Sequence, residues 1–450
     1  MSRHHVVLVP GFFGFGSLGQ LTYFYGVREA LQREFASHGL DVNVLEVSTL
    51  PTASIRHRAA RVHEMLARIA KSEPGPIHIV GHSTGGLDAR LAIAPTASLP
   101  ATERFEHYER LRTLVSVDTP HFGTPVAAFF GSAAGYPLLR LVSSLSIALL
   151  KRGRLPLDIG FRLGRWAVRA DDIFGLKNTV ADDFFERVIA DFSRERRAEL
   201  IAFIEGVSND QSLIFQLTAA GCDLLNASTA DPDRIRYGSV VCKARRPRFS
   251  NLLALSHNPY AQTMHALFVL LHTVAGGSSG QTFPELVPEQ RAVLERAFGK
   301  VPSPAASDGI VPTLSQVWGE VIHATSADHL DVIGHYGATN SDAPSTDWLP
   351  SLSGFDDLAF AALWSDVARF ITEEARKPEQ PARRHNVGAE RTQHDIGENE
   401  PLSRHDGVTA NEQAREALKQ VTLRGAPKSE RRIEVIDTRA NGKSTPFGAS

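Results

Sequence analysis

The sequence predicts an α/β fold, a mostly parallel sheet flanked by helices. Two observations predict it: strand-forming runs recur along the chain, and segments with the apolar spacing of amphipathic helices separate the early runs. Strands that alternate with helices are typical of parallel sheets, because parallel neighbours need a crossover connection. The strand-like runs are 6–10, 41–47, 77–81, 111–117, 234–243 and 319–325.

Helical periodicity is clearest at 26–39, 53–71 and 355–376. The residues that share one face of the second segment are Ile55, Val62, Leu66 and Ile69. Each such stripe is suited to cover one face of the sheet.

The alternation of strands and helices is interrupted after residue 125 and resumes near residue 300, which divides the chain. Residues 1–125 and 300–377 are predicted to form the α/β core, and 126–299 a large, mainly helical cap or lid insertion with at least one core strand near 234–243. Residues 378–450 are polar and have one aromatic residue, Phe447. Such a segment buries too little apolar surface to offset its ordering entropy, so a disordered tail is expected.

Composition limits the function classes. The chain has 450 residues, of which 42% are hydrophobic, and a formal net charge of -2. This charge balance gives no basis for binding nucleic acid or an anionic membrane surface. Two cysteines, Cys222 and Cys242, exclude a disulfide framework and leave either two free thiols or a single bridge.

The N-terminal apolar run is only VVLV, ending at Pro10-Gly11, which is shorter than the apolar region of a signal peptide. It is interpreted as the first strand, and a cytoplasmic protein is expected. The longest apolar stretch, 126–150, contains Pro137 and Arg140, so it is predicted to form buried or lid helices and no membrane span.

A serine enclosed by glycines follows the third strand, in the sequence Gly81-His82-Ser83-Thr84-Gly85. The G-x-S-x-G pattern alone is a weak signal, but a strand before it and a helix after it are the context that it requires. At a sharp strand-to-helix turn the serine backbone is strained, and neighbouring backbone leaves no space for a Cβ at Gly81 or Gly85. The hydroxyl of Ser83 is therefore expected to project at the top of the sheet.

Four segments resemble the α/β-hydrolase superfamily and, within it, the bacterial triacylglycerol lipases and related esterases. They are VVLVPGFFGFG, VGHSTGGLDARL, VDTPHFGTP, and SDGIVP with SADHLDVIGHY. They stand in the family's order over roughly residues 5–340. The resemblance implies an α/β-hydrolase fold and a serine nucleophile.

The remaining catalytic residues are expected after Ser83 in the order acid, then histidine. Asp308 in Ser307-Asp308-Gly309 matches the family's acid position, and His329 follows it in a later loop. A histidine held by a carboxylate can activate a serine hydroxyl. The competing bases are His323 and His335, and the competing acid is Asp118.

An acyl-transfer site also needs donors for the oxyanion. The N–H of Thr84 is one expected donor, and the resemblance places the second at Phe12, in the loop after the first strand. His82 is expected to point away from the reaction. The resemblance also implies a structural calcium near the histidine loop, for which Asp331 is the one matching ligand; no other metal and no cofactor is predicted.

These observations predict a serine carboxylic-ester hydrolase, a lipase or esterase, that cleaves acyl esters with apolar chains through an acyl-enzyme. An acyltransferase or thioesterase would use the same residues, and a non-catalytic hydrolase-fold protein that binds lipids or partners is a third reading. The expected partner is a small-molecule ester or lipid. Sequence leaves the oligomeric state open.

Overall fold

The computed structural model describes residues 3–12, 23–50, 52–132, 212–247, 259–277, 281–337 and 347–375. All of them lie within the unit Met1–Ala382. The predicted tail at 378–450 and the part of the predicted insertion at 133–211 lie outside the described residues.

Strand-forming runs become the strands of one sheet. The strands are β1 (His4–Val9), β2 (Val42–Glu46), β3 (Ile77–His82), β4 (Leu111–Val117), β5 (Arg236–Cys242) and β6 (Glu320–Thr325). They lie in the order β2-β1-β3-β4-β5-β6, and every neighbouring pair is parallel. This confirms the mostly parallel sheet. The strand β5 lies within the segment 234–243.

Helices follow the predicted amphipathic segments. Those of the core are α1 (Val27–Ser37), α2 (Ile55–Ser72), α3 (Thr84–Ile93) and the last helix, Asp357–Ala375. Those within the predicted insertion are α4 (Pro125–Phe130), α5 (Ser212–Gln216), α6 (Ala219–Ser228), α7 (Pro259–Ala275) and α8 (Pro288–Phe298). The last helix is called α9 from here on.

The two faces of the sheet bury two apolar clusters. Val6 and Leu8 of β1 pack in one cluster with Phe35 of α1 and Trp364 of α9. The alternate residues of β1 pack in the other, with residues of α2 and α3. This alternation follows from the two-residue period of a strand and gives the flanked sheet its two core layers.

The strand order reverses beside β1, since β2 lies on one side of it and β3 on the other. Ligands of open α/β sheets bind beyond the carboxyl ends of the strands at such a reversal. The described loops that leave these ends carry Phe12, Ser83 and Asp118. The topology therefore locates the candidate site at this edge.

Cys222 and Cys242 are buried free thiols, which decides between the two expectations for them. Among the described residues, no helix is both long and apolar enough to cross a membrane.

Candidate active site

The serine turn has the geometry that its glycines predict. β3 ends at His82, α3 begins at Thr84, and Ser83 between them has φ 55° and ψ -130°. Positive φ at a non-glycine residue stores strain of about 1–3 kcal/mol and is common at functional sites. A Cβ on Gly81 would lie 2.5 Å from the nitrogen of Gly86, and one on Gly85 would lie 2.1 Å from the oxygen of Val9. Only glycine fits at these two positions.

Three side chains from distant parts of the chain form one hydrogen-bonded line. His329 Nε2 lies 2.9 Å from Ser83 Oγ, and its Nδ1 lies 2.7 Å from Asp308 Oδ2. A carboxylate only accepts, so Nδ1 carries the proton and Nε2 accepts the serine hydroxyl. All three side chains are buried. The structure thus brings together the predicted nucleophile, base and acid.

The Asp308 carboxylate is held by several donors. Its Oδ1 accepts the backbone N–H groups of Ile310 at 2.8 Å and Val311 at 2.7 Å. Its Oδ2 accepts the side-chain amide of Gln316 at 3.0 Å in addition to His329. These bonds fix the carboxylate so that it orients the imidazole.

The two competing histidines are engaged elsewhere. His323 Nδ1 pairs with Asp366 at 2.8 Å, between β6 and α9. His335 Nε2 donates to the carbonyl of Tyr23 at 3.0 Å, and burial lowers the pKa of His335 to about 4. Neither contacts the hydroxyl of Ser83.

The competing acid, Asp118, lies close to the site without contacting His329 through a hydrogen bond. It follows β4, has φ 51°, and its carboxyl group is buried beside the thiol of Cys242. Burial, and next the nearby Asp308 carboxylate, raise the pKa of Asp118 well above its usual range. A neutral carboxyl cannot stabilise an imidazolium as Asp308 can, so the geometry favours Asp308.

Thr84 and Phe12, the predicted oxyanion donors, flank Ser83 from two sides. Thr84 begins α3, whose N-terminal N–H groups favour negative charge beside Ser83. Phe12 follows β1, and a Cβ on Gly11 next to it would lie 2.6 Å from Ser83 Cβ. The loop therefore passes directly against the serine.

A buried arginine, which the sequence did not identify, ties these two donors together. Arg58 Nη2 donates to the carbonyls of Pro10 and Gly11, both at 2.9 Å, and to Thr84 Oγ1 at 3.3 Å. Its Nη2 also lies 2.8 Å from Asp88, and neither side chain is exposed. Arg58 lies on the predicted helix 53–71. An arginine on an amphipathic helix is normally expected to face solvent, so the local sequence did not predict that Arg58 is buried.

Asp331 is the residue that the resemblance implies as a calcium ligand. Its Oδ2 accepts the N–H of Asp328 at 2.9 Å and the hydroxyl of Ser353 at 2.7 Å. Burial, and then Asp328 and Asp347, raise the pKa of Asp331 well above its usual range. Two more carboxylates, the buried Asp328 and the half-buried Asp347, therefore lie near the one that the sequence identified.

A second group with metal-binding side chains overlaps the candidate site. Among the described residues, His82, Asp118 and His329 alone form a group of three whose ligand atoms all lie within 4.8 Å of one another. Both ring nitrogens of each histidine already form hydrogen bonds. We therefore assign no metal to this group.

The parallel sheet, the serine turn and the chain order Ser83, Asp308, His329 are the features that the resemblance to α/β-hydrolases predicts. Residues 2–158 match the family model described as "Putative serine esterase (DUF676)". This match covers the serine turn and the loop after β1 that carries Phe12, which is called the oxyanion loop below for its predicted role. It does not reach Asp308 or His329.

Curated relatives are bacterial lipases. The chain is 27% identical over 128 residues to a triacylglycerol lipase of Pseudomonas fragi, covering 28% of this chain and 38% of the relative. It is 31% identical over 103 residues to a triacylglycerol lipase of Vibrio cholerae serotype O1, covering 22% of this chain and 31% of the relative. The chain thus spans less than half the length of either relative.

Two of the solved structures that align with this chain are lipases. The Staphylococcus hyicus lipase aligns with a TM-score of 0.46 at 15% identity, covering 82% of this chain and 96% of that one. Lipase 1 from Pelosinus fermentans aligns with a TM-score of 0.45 at 18% identity, covering 83% of this chain and 99% of that one. In part of its sequence the chain is therefore similar to bacterial lipases and to a family of putative serine esterases.

Proposed function

We propose that this protein is a serine carboxylic-ester hydrolase that cleaves acyl esters with apolar chains through an acyl-enzyme. The observation that carries the proposal is the continuous hydrogen-bonded line from Ser83 through His329 to Asp308. A serine hydroxyl is a weak nucleophile until a base accepts its proton, and this line supplies the base and the group that orients it.

In the proposed reaction, Ser83 Oγ attacks the ester carbonyl carbon while its proton passes to His329 Nε2. The carbonyl oxygen becomes an oxyanion that accepts the N–H groups of Phe12 and Thr84. Collapse of this intermediate breaks the bond to the alcohol, which leaves with the proton from His329. Water then attacks the acyl-serine, again with His329 as base, and releases the acid and free Ser83.

The preference for apolar acyl chains is supported by the side chains around the oxyanion loop. Phe12 packs against an apolar cluster that contains Ile55 of α2 and Leu213 of α5. Two further apolar side chains of the insertion are largely exposed, Phe215 at 61% and Leu224 at 72%. Exposed apolar surface of this kind favours contact with an apolar ligand.

Labelling with a fluorophosphonate, followed by mapping of the modified residue, tests the nucleophile. We expect modification at Ser83 and none in Ser83→Ala, whose kcat on p-nitrophenyl esters falls by about 10^4-fold or more. The matched control is Ser116→Ala, because Ser116 is also buried and pairs with Gly81 on the adjacent strand. Labelling of another serine, or full activity in Ser83→Ala, would contradict the proposal.

The same assay separates hydrolysis from acyl transfer. Adding an alcohol or a thiol leaves the product a free acid if water is the preferred acceptor. A new ester or thioester as the main product would identify an acyltransferase. Equal turnover of a thioester and an oxygen ester would favour a thioesterase.

The proposal also includes a structural calcium ion at Asp331. It further includes a cytoplasmic location and a small-molecule ester or lipid as the partner. Asp331, Asp328 and Asp347 are the carboxylates that would hold the ion, and neighbouring carboxylates that raise one another's pKa suit a divalent cation. A chelator should then lower Tm, and added calcium should restore it. An unchanged Tm in the chelator would exclude the ion.

A further inference from the structure

We propose that Tyr23 and His82 form a positioning relay that joins the oxyanion loop to the backbone of His329. This inference rests on the proposed function, because it assigns the relay a part in the same reaction. The relay is defined by four residues, Gly11, Tyr23, His82 and His329, and by the three hydrogen bonds between them. His82 is the residue directly before the nucleophile, where the sequence predicted a side chain turned away from the reaction.

The three hydrogen bonds are consistent with one proton arrangement. His82 Nε2 lies 2.9 Å from the carbonyl oxygen of His329, and a carbonyl only accepts, so Nε2 carries the proton. His82 Nδ1, 2.8 Å from the hydroxyl of Tyr23, is then the acceptor of that hydroxyl. The Tyr23 oxygen in turn accepts the N–H of Gly11 at 2.9 Å. Every polar atom in the line has a partner of the correct type.

The environment holds His82 in this neutral form. His82 is fully buried, and its ring centroid lies 4.8 Å from that of His329. Burial, and next the neighbouring His329, lower the pKa of His82 well below its usual range. A neutral ring beside His329 is important, because a second positive charge there would oppose the imidazolium that forms during the reaction.

Both ends of the relay lie next to proposed catalytic groups. Gly11 directly precedes Phe12, whose N–H is a proposed oxyanion donor. At the other end, the relay binds the backbone of His329 itself, whose ring contacts Ser83. One rigid line therefore sets the distance between an oxyanion donor and the base.

Backbone contacts attach the same segment to the histidine loop. The N–H of Tyr25 donates to the carbonyl of Ile333 at 2.9 Å, and His335 donates to the carbonyl of Tyr23. A Cβ on Gly334 would lie 2.0 Å from the oxygen of Tyr25, so the two segments are in direct contact. Tyr23 thus has a fixed backbone from which its hydroxyl can hold Gly11 and His82.

The first test is Tyr23→Phe, which keeps the ring and removes the hydroxyl. We expect kcat to fall about tenfold, the size of one lost hydrogen bond, with KM within about twofold, because positioning affects the transition state more than substrate binding. The matched control is Tyr237→Phe, which removes a buried hydroxyl on β5 and should leave kcat unchanged. An unchanged kcat in Tyr23→Phe would overturn the inference.

A pair of variants at His82 tests whether a hydrogen-bond donor at this position is needed. His82→Gln keeps a donor for the carbonyl of His329, whereas His82→Leu has none. We expect kcat of the glutamine variant to exceed that of the leucine variant by about tenfold, with equal yields of folded protein. Equal kcat values in two folded variants would mean that His82 acts only by filling space.

A spectroscopic measurement distinguishes failure of the relay from failure of the proposed function. The 15N chemical shifts of His82, assigned by comparison with His82→Gln, should report a proton on Nε2 and none on Nδ1. In Tyr23→Phe the Nδ1 shift and the Nδ1–H resonance of His329 should both move. If wild-type protein cleaves no ester, the proposed function fails, and these shifts still decide the relay: a tautomer with the proton on Nδ1 overturns it.

Discussion

Two imidazole–hydroxyl pairs lie at opposite ends of the same sheet. At the carboxyl ends of the strands, His329 lies 2.9 Å from the hydroxyl of Ser83. At the amino ends, His78 of β3 lies 2.9 Å from the hydroxyl of Thr113 on β4. The two distances are equal and both pairs are buried. A buried imidazole–hydroxyl contact is therefore not enough to identify a candidate catalytic pair.

The difference lies in the third partner and in the backbone. The other nitrogen of His329 contacts the Asp308 carboxylate, whereas the other nitrogen of His78 contacts the neutral His4 at 3.1 Å. Ser83 lies on a strained turn at the start of a helix, while Thr113 lies within β4 and pairs with His78 of β3. A carboxylate behind the imidazole and a helix N-terminus beside the hydroxyl are therefore what separate a candidate nucleophile from a structural hydroxyl.

The largest effect is expected when the carboxylate is removed from the first pair. Asp308→Asn should lower kcat by about 10^4-fold, because the amide no longer holds the tautomer that accepts the serine proton. KM should change little. Steady-state kinetics on a p-nitrophenyl ester, with circular dichroism to confirm folding, measures this effect.

Asp366→Asn is the matched control for that experiment. Asp366 pairs with His323 at 2.8 Å, nearly the distance of Asp308 from His329, but this pair has no hydroxyl partner at the site. Its kcat should stay within about twofold of wild type, as for other substitutions away from catalytic groups. A large loss of kcat in Asp366→Asn, or a small one in Asp308→Asn, would show that Asp308 is not the carboxylate that supports His329.

A smaller effect, on stability, is expected at Arg58 beneath the oxyanion loop. Arg58→Met leaves the buried Asp88 without its partner and should lower the free energy of unfolding by about 3–5 kcal/mol. Burial raises the pKa of Asp88 to about 6, against the opposing effect of Arg58, so the ion pair is complete only above that pH. Urea denaturation at pH 8 measures the loss.

A double variant separates stability from positioning at this site. Arg58→Met with Asp88→Leu removes both buried charges and should recover much of the stability. Its kcat should stay below that of the wild type, because the carbonyls of Pro10 and Gly11 still lack the guanidinium. Recovery of both properties would reduce Arg58 to a structural residue.

The smallest effect is expected at the amino ends of the strands. His78→Leu should change the free energy of unfolding by about 1 kcal/mol at pH 7 and leave kcat unchanged, since it removes hydrogen bonds far from Ser83. Burial lowers the pKa of His78 well below its usual range, so the unfolded chain takes up this proton first as the pH falls. Stability is therefore lost below about pH 6.5, the pKa of an unperturbed histidine.

His78→Leu should make that loss of stability less steep, which thermal denaturation from pH 7 to pH 4.5 measures. Burial also lowers the pKa values of other histidines, so removing His78 reduces the slope without abolishing it; these are His4, His82, His121 and His335. A drop of kcat beyond tenfold in this variant would show that the two ends of the sheet are not independent.

The residues that the sequence identified are those whose role depends on close neighbours. Gly81 and Gly85 mark the turn because their own backbone environment excludes a Cβ. The six strands and the helices at 26–39, 53–71 and 355–376 were predicted within a few residues, since apolar periodicity is a local property. Asp308 and His329 were identified by chain order and resemblance, and the structure brings both to Ser83.

The residues that the sequence missed act through partners far along the chain. Arg58 contacts the carbonyls of Pro10 and Gly11, and an arginine on an amphipathic helix has no local feature that predicts this contact. His82 was predicted to point away, but it contacts the backbone of His329, 247 residues later. Asp328 and Asp347 were not recognised beside Asp331, because a resemblance at one residue does not show which carboxylates pack against it.

By itself the sequence determined the alternation of strands and helices, the strained serine turn and a short set of candidate acids and bases. Tertiary structure alone decided that Asp308 rather than Asp118 contacts His329, that Arg58 lies buried beneath the oxyanion loop, and that Tyr23 and His82 connect this loop to the histidine. The physical reason is the separation along the chain over which each interaction acts. Periodicity and steric exclusion act between neighbouring residues, whereas hydrogen-bond partners and burial are set only when distant segments pack together.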